Sequence, residues 1–70
     1  TIMKEQIQNK IMQLQKVLED CSTIIKVCND EIEKGTLVPN DLQQAQLDSI
    51  AAIGRNTILE IERLNKLLKP

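Results

Sequence analysis

Residues 7–32 read IQNKIMQLQKVLEDCSTIIKVCNDEI, and the apolar side chains in this stretch decide the fold. Ile7, Ile11, Leu14, Leu18, Cys21, Ile25, Cys28 and Ile32 recur with the spacing 4-3-4-3-4-3-4 and no interruption. A repeat averaging 3.5 residues keeps one stripe of a helix facing a partner helix, the signature of a coiled-coil seam. With Ile11 at heptad position a, the stripe alternates d and a through Ile32, and only Lys4 departs from it, at the end most prone to fray. No Pro or Gly precedes Gly35, so one helix is expected over residues 2–34, with Thr1 as its N-cap and Gly35 as its stop.

Working outward, Gly35-Thr36-Leu37-Val38-Pro39-Asn40 interrupts the helix. Gly tolerates the left-handed conformation that ends helices, and Pro lacks the N–H that an interior helical turn requires. A chain reversal is therefore expected over residues 35–40, with Leu37 and Val38 packing beneath it. Asn40 suits the N-cap of a second helix over residues 41–69, because Gln43 stands where a reciprocal capping exchange becomes possible and Asp41 sits at the positive end of the helix dipole. The second helix continues the heptad logic with Leu47, Ile50, Gly54, Thr57, Ile61, Leu64 and Leu68 at a and d, and places Lys66 and Lys69 near its C-terminus.

Folding the chain so that paired residue numbers sum to 75 sets Cys28 beside Leu47, Ile25 beside Ile50, Cys21 beside Gly54, Leu18 beside Thr57, Leu14 beside Ile61 and Ile11 beside Leu64. Each pair joins an a to a d position, as an antiparallel seam requires. Only Ile32, facing Gln43, lacks an apolar partner. The predicted fold is all-α: a single antiparallel two-helix hairpin spanning residues 1–70. Gly54 is its weak point, because a helix-interior glycine costs about 1 kcal/mol relative to Ala unless close helix approach compensates.

Composition narrows the function. The chain has 70 residues, a net charge of -1 and no Phe, Tyr, Trp or His. The basic residues are scattered, so there is neither the basic stripe that phosphate backbones need nor an aromatic platform for bases, and no nucleic-acid partner is expected. No apolar run reaches the roughly 18 residues of a membrane span, and no secretory signal opens the chain, so a soluble cytoplasmic protein is expected. Met3 with Lys4 and Glu5 fits a native start, which would leave Thr1 and Ile2 as an addition.

Without His the commonest general base and metal ligand are missing. Asp48 beside Ser49 forms no triad, Glu60 and Glu62 point to different helix faces, and Asp30, Glu31 and Glu33 lack the spacing of a calcium loop. No catalysis, metal or cofactor is expected. Cys21 and Cys28 fall on one helix face about 10 Å apart, too far for an intrachain disulfide, and read as structural thiols, with an intermolecular disulfide or a redox role as the alternative. Charged residues such as Lys16, Lys26, Asp30, Glu62 and Arg63 read as a solvated face.

A lone hairpin of this size has a marginal core, and the flanks of the seam suggest where something else packs. In an antiparallel pair the g positions of both helices line one side and the e positions the other. The g side holds Met3, Lys10, Val17, Ile24 and Glu31 with Gln46, Ile53, Glu60 and Leu67; the e side, with Gln8, Gln15, Ser22, Asn29, Gln44, Ala51, Ile58 and Asn65, is mostly polar and uncharged. Surplus apolar residues can simply widen an intramolecular seam. The alternative is that the g flank docks a partner helix or a second copy of this chain, with Met3, Val17, Ile24, Ile53 and Leu67 as protein-binding residues. Leu59, at an outer f position, is added as a second external contact, although a single exposed Leu is unremarkable.

The layout resembles the YscE/EscE-type family of small co-chaperones of bacterial type III secretion needle subunits. The likeness rests on a first helix ending at Glu33, Lys34 and Gly35, a short connection holding Pro39, and a second helix that opens on Gln43, Gln44 and Gln46 and is rich in aliphatics. It spans nearly the whole chain, but the late aromatic residues that some relatives carry are missing. The resemblance implies a cytoplasmic bacterial protein that joins a tetratricopeptide-type chaperone to keep a needle subunit soluble before export. A self-assembling needle-like or rod-like subunit is the competing expectation, and a homo-oligomeric RNA-binding hairpin the weakest.

Overall fold

A computed structural model describes residues 2–69. Helix α1 (Ile2–Lys34) and helix α2 (Asp41–Leu68) pack against each other along a rod of 51 × 17 × 16 Å. At about 1.5 Å per residue a helix as long as α1 spans about 50 Å. The rod is thus one helix long, and the chain folds fully back on itself. The expected N-cap Thr1 lies outside the described residues, as does Pro70.

The junctions form as their residues dictate. Gly35 takes φ +77°, the left-handed conformation, and its N–H reaches the Ile32 carbonyl at 3.1 Å while the Thr36 N–H reaches that of Glu31 at 3.0 Å. This pair of bonds is a Schellman motif, which satisfies carbonyls that the helix end would otherwise leave open. The Leu37 N–H and the Thr36 hydroxyl also bond the Glu31 carbonyl, at 3.2 and 3.1 Å. Beneath the turn, Leu37 and Pro39 are half-buried. Val38 is not: it is 84% exposed, contrary to expectation, because the chain leaving the motif directs alternate residues to opposite sides and only one of the two can face the helices.

At the start of α2 the Gln43 N–H donates to Asn40 Oδ1 at 2.8 Å and the Asn40 N–H donates to Gln43 Oε1 at 3.0 Å, a complete capping box. Gln43 is therefore engaged locally, which explains why it offers Ile32 no apolar partner. Asn40→Ala is expected to cost about 1 kcal/mol and to lower the thermal midpoint by roughly 5 °C, measured by circular dichroism at fixed protein concentration. Helix α2 ends one residue earlier than expected. Lys69 is extended (φ -75°, ψ 138°), because a residue preceding proline is pushed out of the helical region.

Every seam position named above is buried or half-buried. A Cβ added to Gly54 would lie 3.9 Å from Cys21 Cβ and 3.9 Å from Leu18 Cδ1, which places Gly54 against the residues that the sum-75 register assigns to it. Thr57, buried in the seam, satisfies its hydroxyl by donating to the Ile53 carbonyl at 2.6 Å. Cys21 is buried and Cys28 half-buried, both as free thiols. The core is nevertheless thin. Among the described residues only Ile11, Cys21, Gly54, Thr57 and Leu64 are buried, and none is completely shielded from solvent. No helix is long and apolar enough to cross a membrane among the described residues.

Candidate functional site

The observed register sets the g positions of both helices along one side of the rod, and that side divides into three zones. At the open end, Met3, Lys4, Ile7, Leu67 and Leu68 line a cleft of about 200 Å³. Next comes a charged band. Arg63 Nε donates to Glu60 Oε2 at 3.1 Å and a second guanidinium nitrogen bonds the other carboxylate oxygen, a two-pronged pair one helical turn apart. That hydrogen bonding is the main reason the Glu60 carboxyl titrates below its ordinary value. The charges of Arg63 and Lys10 act in the same direction and desolvation acts against them. Lys10, on α1, and Glu60, on α2, both occupy g positions on this side.

Beyond the band the surface turns apolar. Ile24 and Ile53, 45% and 49% exposed, stand on the same side of the seam where Cys21 meets Gly54 and Ile25 meets Ile50. Ile24 also forms one wall of a cleft of about 250 Å³ at the loop end, completed by Cys28, Leu37, Pro39, Gln43, Gln46, Leu47 and Ile50. The Schellman motif makes this cleft by carrying Leu37 back over the ends of the helices. A shallower depression lined by Leu42, Ala45, Gln46, Ser49 and Ile50 continues it over α2.

Of the residues expected to bind a partner, the register that sets Gly54 against Cys21 puts Ile24 and Ile53 at similar levels on one side of the rod, with Val17 between them and the charged band. Met3 and Leu67 share the open-end cleft instead. Ile24 is 21 residues from Met3 along α1, about 30 Å by the helical rise, and Lys10, Glu60 and Arg63 intervene. The mixed g flank is therefore two apolar areas separated by charge. Leu59 is 62% exposed on the outer face of α2, away from both.

Two exposed apolar residues belong to the loop-end area but escaped the sequence reading: Val27 and Leu42. Both occupy c positions, which neighbour g on the helical wheel. A search extended from g to c would have found them. Leu37 was expected under the turn, but its place in the cleft wall depends on the loop conformation. The opposite flank remains polar apart from Ala51 and Ile58. The loop-end face, from Ile24, Val27 and Ile53 to Leu37 and Leu42, is the candidate docking site. The protein-family models, the curated proteins and the solved structures contain no match to this chain.

Proposed function

We propose that the hairpin is a protein-binding adaptor of the co-chaperone type, whose loop-end face covers an apolar surface on a helical-repeat partner. In this reading the pair holds a type III secretion needle subunit unpolymerised before export, the partner's groove occupying the subunit's self-associating helix. The observation that carries it is the combination of an exposed aliphatic face with a core in which, among the described residues, no side chain is completely buried. Such a hairpin gains more from an external helix than from its own interior. The cleft beside Ile24 provides a recess for one anchoring side chain, the arrangement in which a few central contacts dominate binding.

The test is co-expression of the tagged chain with a tetratricopeptide-type chaperone and a needle subunit from the same source. A stable complex is expected, and Ile53→Glu should weaken capture by about 30-fold or more while helical ellipticity is retained. Leu59→Glu, outside the face, should leave capture unchanged. Equal capture by both variants would sink the assignment of the face. Filaments formed by the chain alone would favour a self-assembling subunit instead.

A further inference from the structure

The rod exposes 5634 Å² of surface, whereas a compact monomer of 7.9 kDa is expected to expose about 4,400 Å² by the scaling of surface with mass. The excess, about 1,200 Å² per chain, exceeds the roughly 800 Å² that each partner contributes to an interface of standard size. A second copy laid on one side of the rod would remove it, and the side with exposed aliphatics to offer is the face around Ile24, Val27 and Ile53. These residues lie on the loop half of the rod, and a two-fold axis through them brings the same patch of both copies together.

Charge selects the orientation. The loop half, residues 21–54, carries Lys26 and Lys34 against Asp30, Glu31, Glu33, Asp41 and Asp48, a formal charge of -3. The open half carries the remaining seven basic and five acidic residues, a formal charge of +2, which together with the loop half restores the chain's net -1. Parallel copies would stack like on like. Antiparallel copies lay each acidic loop end over the other's basic open end, near its Lys10 and Arg63. We propose that two copies of this chain pack face to face and antiparallel through the Ile24, Val27 and Ile53 patch, forming a four-helix bundle. The inference uses the same face as the adaptor reading but does not depend on it: an adaptor partner would have to displace the second copy.

Sedimentation equilibrium on the purified full chain tests the pairing. A dimer is expected at micromolar concentration, with a dissociation constant rising several-fold between about 50 and 500 mM salt. Ile24→Glu should raise that constant about 50-fold or more. Val27→Glu, at an exposed position outside the seam, should do the same without touching the hairpin's own core, so loss of folding in the first variant would not hide the answer. A monomer at about 100 µM, or unchanged affinity in Val27→Glu, overturns the proposal.

Orientation is read by zero-length cross-linking of a mixture of isotope-labelled and unlabelled chain. Mixed-isotope links from Glu31 or Asp41 to Lys10 or Lys16 are expected. Links from Glu31 to Lys34 in their place mean parallel copies and overturn it. A monomer that still captures the helical-repeat partner refutes the dimer and leaves the adaptor reading standing; a dimer that captures nothing does the reverse.

Discussion

Leu64→Ala is expected to remove about 2–5 kcal/mol of stability, the range for deleting a buried leucine side chain when the surroundings cannot collapse onto the gap. Leu64 is one of the few buried side chains and faces Ile11, equally buried, across the seam. No second layer lies behind this pair, because the molecule is only two helices thick. Filling the vacated space would require the helices to move together against the side chains of the neighbouring seam layers. A chain of 70 residues has a stability of roughly 4–10 kcal/mol, so this one substitution takes a large share of it. At a single protein concentration the thermal midpoint followed by circular dichroism should fall by more than about 10 °C. Leu59→Ala removes the same atoms from an exposed position and should change the midpoint by less than about 3 °C. Equal effects in the two variants would show that the seam is not the core.

The opposite sign is expected at Gly54. Its backbone needs no left-handed conformation, and a methyl group there would meet Cys21 and Leu18 at ordinary van der Waals distance rather than clash. Replacing an interior helical glycine by Ala contributes about 1 kcal/mol by reducing the freedom of the unfolded chain, and burying the added methyl contributes about 0.8 kcal/mol more. Gly54→Ala should therefore stabilise the hairpin by about 1–2 kcal/mol and raise the thermal midpoint by about 5–10 °C. A larger residue has no such room: Gly54→Leu is expected to force the helices apart and to destabilise. A lowered midpoint in Gly54→Ala would mean that the helices approach more closely there than the structure shows.

The seam was legible because it is a property of local spacing. The stripe from Ile7 to Ile32 faces the partner helix whatever the details of packing, and the pairing of Cys21 with Gly54 followed from closing the chain over a short turn. Both caps were legible for the same reason, since Gly35 and Asn40 act on neighbours within a few residues. What could not be read depends on geometry that spacing does not set. Heptad letters give the direction of a side chain but not its depth, so Val27 and Leu42 on the shoulder of the face were passed over. The interruption of the flank by Lys10, Glu60 and Arg63 was visible as residue types; its consequence, two separate apolar areas, emerged only once the register fixed distances along the rod. Gly54 read as a defect, and whether the facing side chains leave room for a methyl is a matter of ångströms. The outward turn of Val38 is a product of the loop's hydrogen bonds onto one carbonyl, which propensities do not specify.

That carbonyl, on Glu31, has a bearing on how the chain behaves in company. A hairpin with a slack connection can straighten into one long helix and exchange arms with a neighbour, each seam being completed by another molecule. Here three donors from Thr36 and Leu37 converge on the Glu31 carbonyl, Gly35 is committed to a left-handed turn, and the Asn40 box starts α2 on its own terms. Straightening would break all of these and would place Pro39 inside a continuous helix, where its ring opposes the turn before it. The connection therefore acts as a lock against arm exchange, and when these molecules associate they do so as closed hairpins.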